Sequence, residues 1–135
     1  MLLLDTCAAI WLSTDERVSP KVLDALKTAR EAGQPVYVSP ITAWELGLLV
    51  SRGRMNLLMT PARWIDRLMR APGLKLADMS ADLLISSSFL PGTPPRDPAD
   101  RIMAATAREY GYILVTRDRP LLEYAENGHI QALAC

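Results

Sequence analysis

The sequence predicts an α/β protein, a three-layer α/β/α sandwich around a central, mostly parallel sheet. Short apolar runs bounded by polar, Pro or Gly residues recur along the chain, and longer stretches with apolar residues at helical spacing lie between them. That alternation is the pattern of βα units. No internal repeat, low-complexity tract or linker interrupts it, so residues 1–135 are expected to form a single domain, a length that can bury one core.

The first strand is expected at residues 2–4, followed by a helix over residues 6–12. A second helix spans residues 20–32, with Val22, Leu23, Leu26 and Ala29 on its core face and Gly33 as its stop. After a strand at residues 36–38, Pro40 opens a third helix that runs to about Val50. A fourth, residues 61–70, turns Trp64, Ile65 and Leu68 inward and sets Arg63, Arg67 and Arg70 on another face at i, i+4 and i+7. A strand at 74–77 leads to a helix at 80–89, a Pro-rich loop at 91–96, and a further helix beginning at Pro98. The last strands are expected at 113–115 and 130–133.

With 15 Lys and Arg against 15 Asp and Glu, the net charge is zero and the global balance favours no polyanionic partner. The distribution is uneven, because residues 51–75 hold six basic residues against the single acid Asp66. The arginine face of residues 63–70 either meets a nucleic acid or is a solvated helix surface. Only two cysteines occur, Cys7 and Cys135, and with the lone His129 they lack zinc-ligand spacing and form no disulfide framework. A reducing cytoplasm is expected, with no membrane span or secretory leader, since Asp5 ends the first apolar run.

Ligands of open parallel sheets bind beyond the carboxyl ends of the strands. Asp5 directly follows the strand Leu2-Leu3-Leu4, and Asp118 follows Ile113-Leu114-Val115-Thr116-Arg117. Asp100 lies in the first turn after Pro98, and Glu45 sits mid-helix with Ile41, Leu48 and Leu49 as its i−4, i+3 and i+4 neighbours. Each has a structural alternative. Asp5 and Asp97 are well placed as helix N-caps, Asp118 as a turn residue in Arg117-Asp118-Arg119-Pro120, Asp100 as an N3 acid, and Glu45 as the partner of a distant arginine. Their joint position carries the case. Two like charges about 5 Å apart at an effective dielectric near 20 repel by roughly 3 kcal/mol, so converging carboxylates require a cation or raised pKa values. Oxygen-only ligands suit Mg²⁺ or Mn²⁺, and the chemistry such ions support is phosphodiester hydrolysis by an activated water.

At these residues the sequence resembles the PIN-domain ribonucleases, in particular the virulence-associated protein C (VapC) toxins of bacterial toxin–antitoxin pairs. The matching stretches are Leu3-Leu4-Asp5-Thr6 with Trp11 following, Ser39-Pro40-Ile41-Thr42-Ala43-Trp44-Glu45-Leu46 running on to Gly53-Arg54-Met55, Arg96-Asp97-Pro98-Ala99-Asp100-Arg101 with Ala104-Ala105-Thr106-Ala107, and Leu114-Val115-Thr116-Arg117-Asp118. The resemblance implies that Asp5 and Asp100 are the principal Mg²⁺ or Mn²⁺ ligands and that Asp118 and Glu45 complete the site and position water. It implies Thr6, Ser39 and Thr116 as supporting hydroxyls. It also implies an endoribonuclease acting on RNA, a homodimer, and neutralisation by a small cognate antitoxin whose tail occupies the active-site groove. Many relatives have histidine at Cys7 and at Pro95, departures that leave the four acids intact and bear on RNA positioning.

Other chemistries fit less well. A haloacid-dehalogenase-like phosphatase needs a second aspartate two residues after Asp5, where Cys7 stands. Cys7 lacks a base to activate it and is expected to be a buried structural cysteine. Ser86-Ser87-Ser88 has no elbow glycines and reads as helix surface, while Gly92 and Gly111 are isolated turn glycines rather than a phosphate loop. A non-catalytic PIN-fold module that binds RNA or protein is opposed by the presence of all four acids.

Overall fold

The computed structural model describes residues 1–14 and 17–135. Five short strands, β1 (Leu2–Leu4), β2 (Val36–Val38), β3 (Leu74–Leu76), β4 (Ile113–Thr116) and β5 (Gln131–Ala134), form one sheet in the order β3-β2-β1-β4-β5, with every neighbouring pair parallel. Seven helices accompany them among the described residues: α1 (Thr6–Ser13), α2 (Pro20–Glu31), α3 (Ile41–Ser51), α4 (Pro61–Met69), α5 (Ala81–Ser86), α6 (Pro98–Tyr110) and α7 (Arg119–Glu126). Among the described residues no helix is long and apolar enough to cross a membrane.

The central strands are apolar apart from Thr116 at the end of β4, because both faces of the sheet are covered. Leu3 points into a core shared with Ile41 of α3, Met103 and Ala104 of α6, and Leu121 and Tyr124 of α7. Leu2 and Leu4 point the other way, onto Ala8 and Ala9 of α1 and Val22 and Ala29 of α2. The two cores are the two outer layers of the expected sandwich. α4 sits more loosely, with Trp64, Ile65 and Leu68 only half-buried and no fully buried residue.

Helix starts are set by side-chain caps. Ser19, Thr60, Ser80, Asp97 and Asp118 each accept the N–H three residues on, and α2, α4, α6 and α7 carry proline in the first turn. Gly111, in the left-handed region at φ 67°, closes α6 before β4.

Three expectations are corrected. β5 starts one residue later than expected, since Ile130 is buried in the core just ahead of the ladder. α5 ends at Ser86, because the Ser86 and Ser87 hydroxyls return to the Leu83 and Leu84 carbonyls at 2.8 and 2.6 Å. Ser87 is consequently buried rather than on a helix surface. The structural alternative for Asp118, a turn, takes the form of the N-cap of α7.

The chain leaves β1 for β2 and β3 on one side and returns to β4 on the other. The order reverses between β1 and β4, which opens a crevice at their carboxyl ends where Asp5 and Asp118 stand. The loop that delivers Asp97 and Asp100 to the same end is fastened by Tyr124, whose hydroxyl donates to the Pro91 carbonyl at 2.6 Å from a fully buried ring. Tyr124→Phe leaves that carbonyl without its donor, so urea denaturation should show a loss of about 1–2 kcal/mol at unchanged m-value. Unaltered stability would mean that Tyr124 does not anchor the loop.

Candidate active site

Asp5 extends β1 by one residue, its N–H donating to the Val115 carbonyl at 3.0 Å. Its carboxylate is only 6% exposed. Oδ1 accepts the Thr6 N–H at 2.7 Å and Oδ2 accepts the Thr116 hydroxyl at 2.7 Å. Thr116 ends β4 and is fully buried, and its oxygen also accepts the Asp118 N–H at 3.0 Å. One hydroxyl thus fixes two of the acids relative to each other. Asp118 in turn caps α7 through Oδ2 and Leu121 N–H at 3.1 Å.

Glu45 comes from α3, which packs through Ile41 on the Leu3 face of the sheet, as α7 does. Its Oε1 accepts the Thr6 hydroxyl at 2.7 Å. With the single Thr6 proton committed to a carboxylate, buried Thr42, 3.1 Å away, acts as donor to Thr6. The arginine pair weighed as the structural alternative for Glu45 does not occur: among the described residues no ion pair engages Asp5, Glu45, Asp97, Asp100 or Asp118. Asp97 caps α6 by accepting the Asp100 N–H at 3.0 Å, which places Asp100 at N3. The Asp100 carboxylate itself has no hydrogen-bond donor among the described residues.

All five acids line one cleft of about 610 Å³. A second cleft of equal volume lies at the other end of β2, beside Gly33 and Gly73, and is lined by no carboxylate. The acid cleft leaves its charges poorly compensated. Burial raises the pKa of Asp5, against which the Thr116 and Thr6 hydrogen bonds pull down while Asp118 and Asp97 push up. Glu45 is raised by burial, offset by Thr6 and reinforced by Asp5, Asp97 and Asp118. Asp100 is pushed up to about 8, by burial first and then by Asp118, Asp97, Asp5 and Glu45.

An all-oxygen, anionic, partly desolvated donor set with no ion-pair partner among the described residues fits a hard divalent cation such as Mg²⁺ or Mn²⁺. The acids share the cleft without closing on one point: among the described residues no three Asp, Glu, His or Cys side chains stand together as a complete ligand set.

Of the expected hydroxyls, Thr6 and Thr116 are in the network, whereas Ser39 accepts the Ile41 N–H at 3.2 Å and starts α3 instead. Cys7, expected to be buried, is exposed at the cleft. Desolvation and the neighbouring Asp5 and Glu45 push its thiol up to about 11, so it is no thiolate at neutral pH. The arginine face of α4 does not line the cleft, and Arg70 pairs with Asp66 at 3.0 Å. The cations that do line it are Arg52, Arg54 and Arg117, beside Trp11 and Trp44. Arg52 and Arg54 belong to the basic segment seen in the sequence, but no periodicity distinguishes them there, and Thr42 carries no signal apart from its contact.

The profile of the PIN domain matches residues 2–127. The chain is 33% identical over 121 residues to ribonuclease VapC22 of Mycobacterium tuberculosis, spanning 89% of this chain and 88% of that one. Among solved structures it resembles a chain of VapBC2 from Rickettsia felis, bound to a DNA fragment from their promoter, with TM-score 0.68, 15% identity and coverage of 98% and 97%. It also resembles FitAcB from Neisseria gonorrhoeae, with TM-score 0.58, 23% identity and coverage of 98% and 96%.

An acid whose pKa is higher in the folded protein than its ordinary value near 3.8 holds its proton more tightly when folded. The metal-free protein is therefore favoured at low pH and loses that contribution as pH rises from about 4 toward about 8, where Asp100 ionises. Asp100→Asn should raise the Tm of metal-free protein at pH 8 by about 2–4 °C and flatten the fall in Tm with pH. A variant that melts lower than wild type at pH 8 would contradict this account of the cleft.

Proposed function

Because this chain belongs to the PIN-domain family, we propose that it is a divalent-metal-dependent endoribonuclease, the toxin of a type II toxin–antitoxin pair, cutting RNA with a water molecule as nucleophile. The observation that carries this is the Asp100 carboxylate, without a hydrogen-bond donor among the described residues, in a cleft with Asp5, Glu45 and Asp118. A carboxylate so placed has a cation as its natural partner.

In this reading Asp5 and Asp100 are the direct ligands of Mg²⁺ or Mn²⁺, and Asp118 completes the set. The bound ion would lower the pKa of a coordinated water and neutralise charge on the phosphate. Thr6 N–H and the Thr116 hydroxyl hold Asp5 in one orientation, as supporting groups do for metal-binding carboxylates. Glu45 gives one oxygen to the Thr6 hydroxyl and keeps the other for water, and its raised pKa brings it closer to the range of a working general base. Arg52 and Arg54 supply phosphate contacts around the acids.

Residues 1–135 act as one domain, and the protein works in the cytoplasm as a homodimer. Exposed Leu84, Ile85 and Phe89 support self-association. The relative named a ribonuclease supports RNA as substrate. VapBC2 and FitAB bound to DNA fragments support a DNA-binding antitoxin partner, whose tail would enter the cleft.

Purified protein should cleave structured RNA with Mg²⁺ and stop on addition of EDTA. Asp5→Asn and Asp100→Asn should each lower the rate by at least about 100-fold, and Thr116→Val should weaken Mn²⁺ binding by about 10- to 100-fold. Cleavage by either aspartate variant at the wild-type rate, or cleavage indifferent to EDTA, would refute the metal mechanism. Salt dependence separates the two arginine groups. Arg52→Ala with Arg54→Ala should reduce the slope of log affinity against log salt by about 0.7 for each phosphate the two arginines neutralise, while replacing Arg63, Arg67 and Arg70 together should leave it unchanged. The reverse pattern would move RNA to α4.

A further inference from the structure

We infer that Trp44 stacks on an unpaired nucleobase next to the scissile phosphate, so that the substrate is recognised as single-stranded RNA at the point of cleavage; this rests on the ribonuclease reading above. Trp44 immediately precedes Glu45 on α3, and both line the cleft. Successive helical residues point about 100° apart. Glu45 is the one hydrogen-bonded to Thr6, and Trp44 is left 54% exposed. The core contacts of α3 are made by Ile41, Thr42 and Leu46, so the fold does not need the indole there.

The cleft has one other tryptophan, and its face is taken. The Arg117 guanidinium lies 3.8 Å over the Trp11 ring. Arg117 is held there by donating Nε–H to the Cys135 carbonyl at 2.6 Å and by a further hydrogen bond to the Arg17 carbonyl. Trp44 is therefore the open aromatic face beside the acids. An exposed indole sharing one cleft with carboxylates that call for a cation and with the arginines 52 and 54, eight and ten residues further along the chain, matches a polyanion carrying π-faces better than an apolar peptide. In a duplex the base faces are covered by their neighbours, so Trp44 selects loops, bulges and ends.

The test uses an oligoribonucleotide spanning a cleavage site mapped with the wild-type protein, together with versions abasic at each flanking nucleotide. Trp44→Ala should raise KM by about 5- to 100-fold with kcat and Mn²⁺ affinity little changed, and Trp44→Phe should restore most of the loss. At the contacted position the abasic substrate should cost the wild type a similar factor and cost Trp44→Ala nothing further. Penalties that multiply independently, or a Trp44→Ala protein with wild-type KM, overturn the inference. So does a Trp44→Ala protein that cleaves normally but loses self-association, which would assign the indole to a protein contact. If the wild type cleaves no RNA with Mg²⁺ or Mn²⁺, the ribonuclease reading itself fails, a distinct outcome.

Discussion

Repulsion among carboxylates at one end of the sheet is the constraint around which the rest of this structure is arranged. Asp5 and Asp118 stand beyond adjacent parallel strands because β1 and β4 flank the point where strand order reverses. Asp100 and Glu45 are brought to the same cleft by α6 and α3. Among the described residues, none of these acids has an ion-pair partner. The compensation visible in the chain is local: Thr116 and Thr6 hydroxyls, backbone N–H groups, and the positive ends of helices.

Helix capping and the lining of the acid cleft are carried by the same side chains. Asp5, Asp97 and Asp118 are N-caps of α1, α6 and α7. A cap fixes a carboxylate at a helix start, and three helices start beside one crevice. Capping and a place in the acid cleft coexist here. Asp118 keeps Oδ1 clear of its cap bond through Oδ2, and both oxygens of Asp5 retain lone pairs beyond their single hydrogen bonds.

The strands were legible because burial on both faces demands unbroken apolar runs, and Leu2–Leu4 and Val36–Val38 stand where those runs predict. The four acids were legible as residues at strand ends or on an apolar helix face. Of their partners, Thr6 and Thr116 came only from the family resemblance, and Thr42 was missed. Thr42 reaches Thr6 across 36 positions and Thr116 reaches Asp5 across 111, contacts that local patterns do not encode. The helix expected over 80–89 was overextended because serine back-bonding, which ends α5 at Ser86, leaves the apolar spacing unchanged. Cys7 looked buried by residue type, yet it lies on the outward side of α1 while Ala8 and Ala9 take the core. Which arginines line the cleft depends on where α3 ends relative to the acids, and that is a tertiary fact.

The acids share one cleft, so the central claim is that they hold a divalent cation there. Anomalous diffraction from a crystal soaked in Mn²⁺ tests this most directly. The account predicts a manganese peak in the cleft with oxygens of both Asp5 and Asp100 within about 2.0–2.3 Å of it. Manganese bound only elsewhere on the surface, or an empty cleft at saturating Mn²⁺, would contradict it.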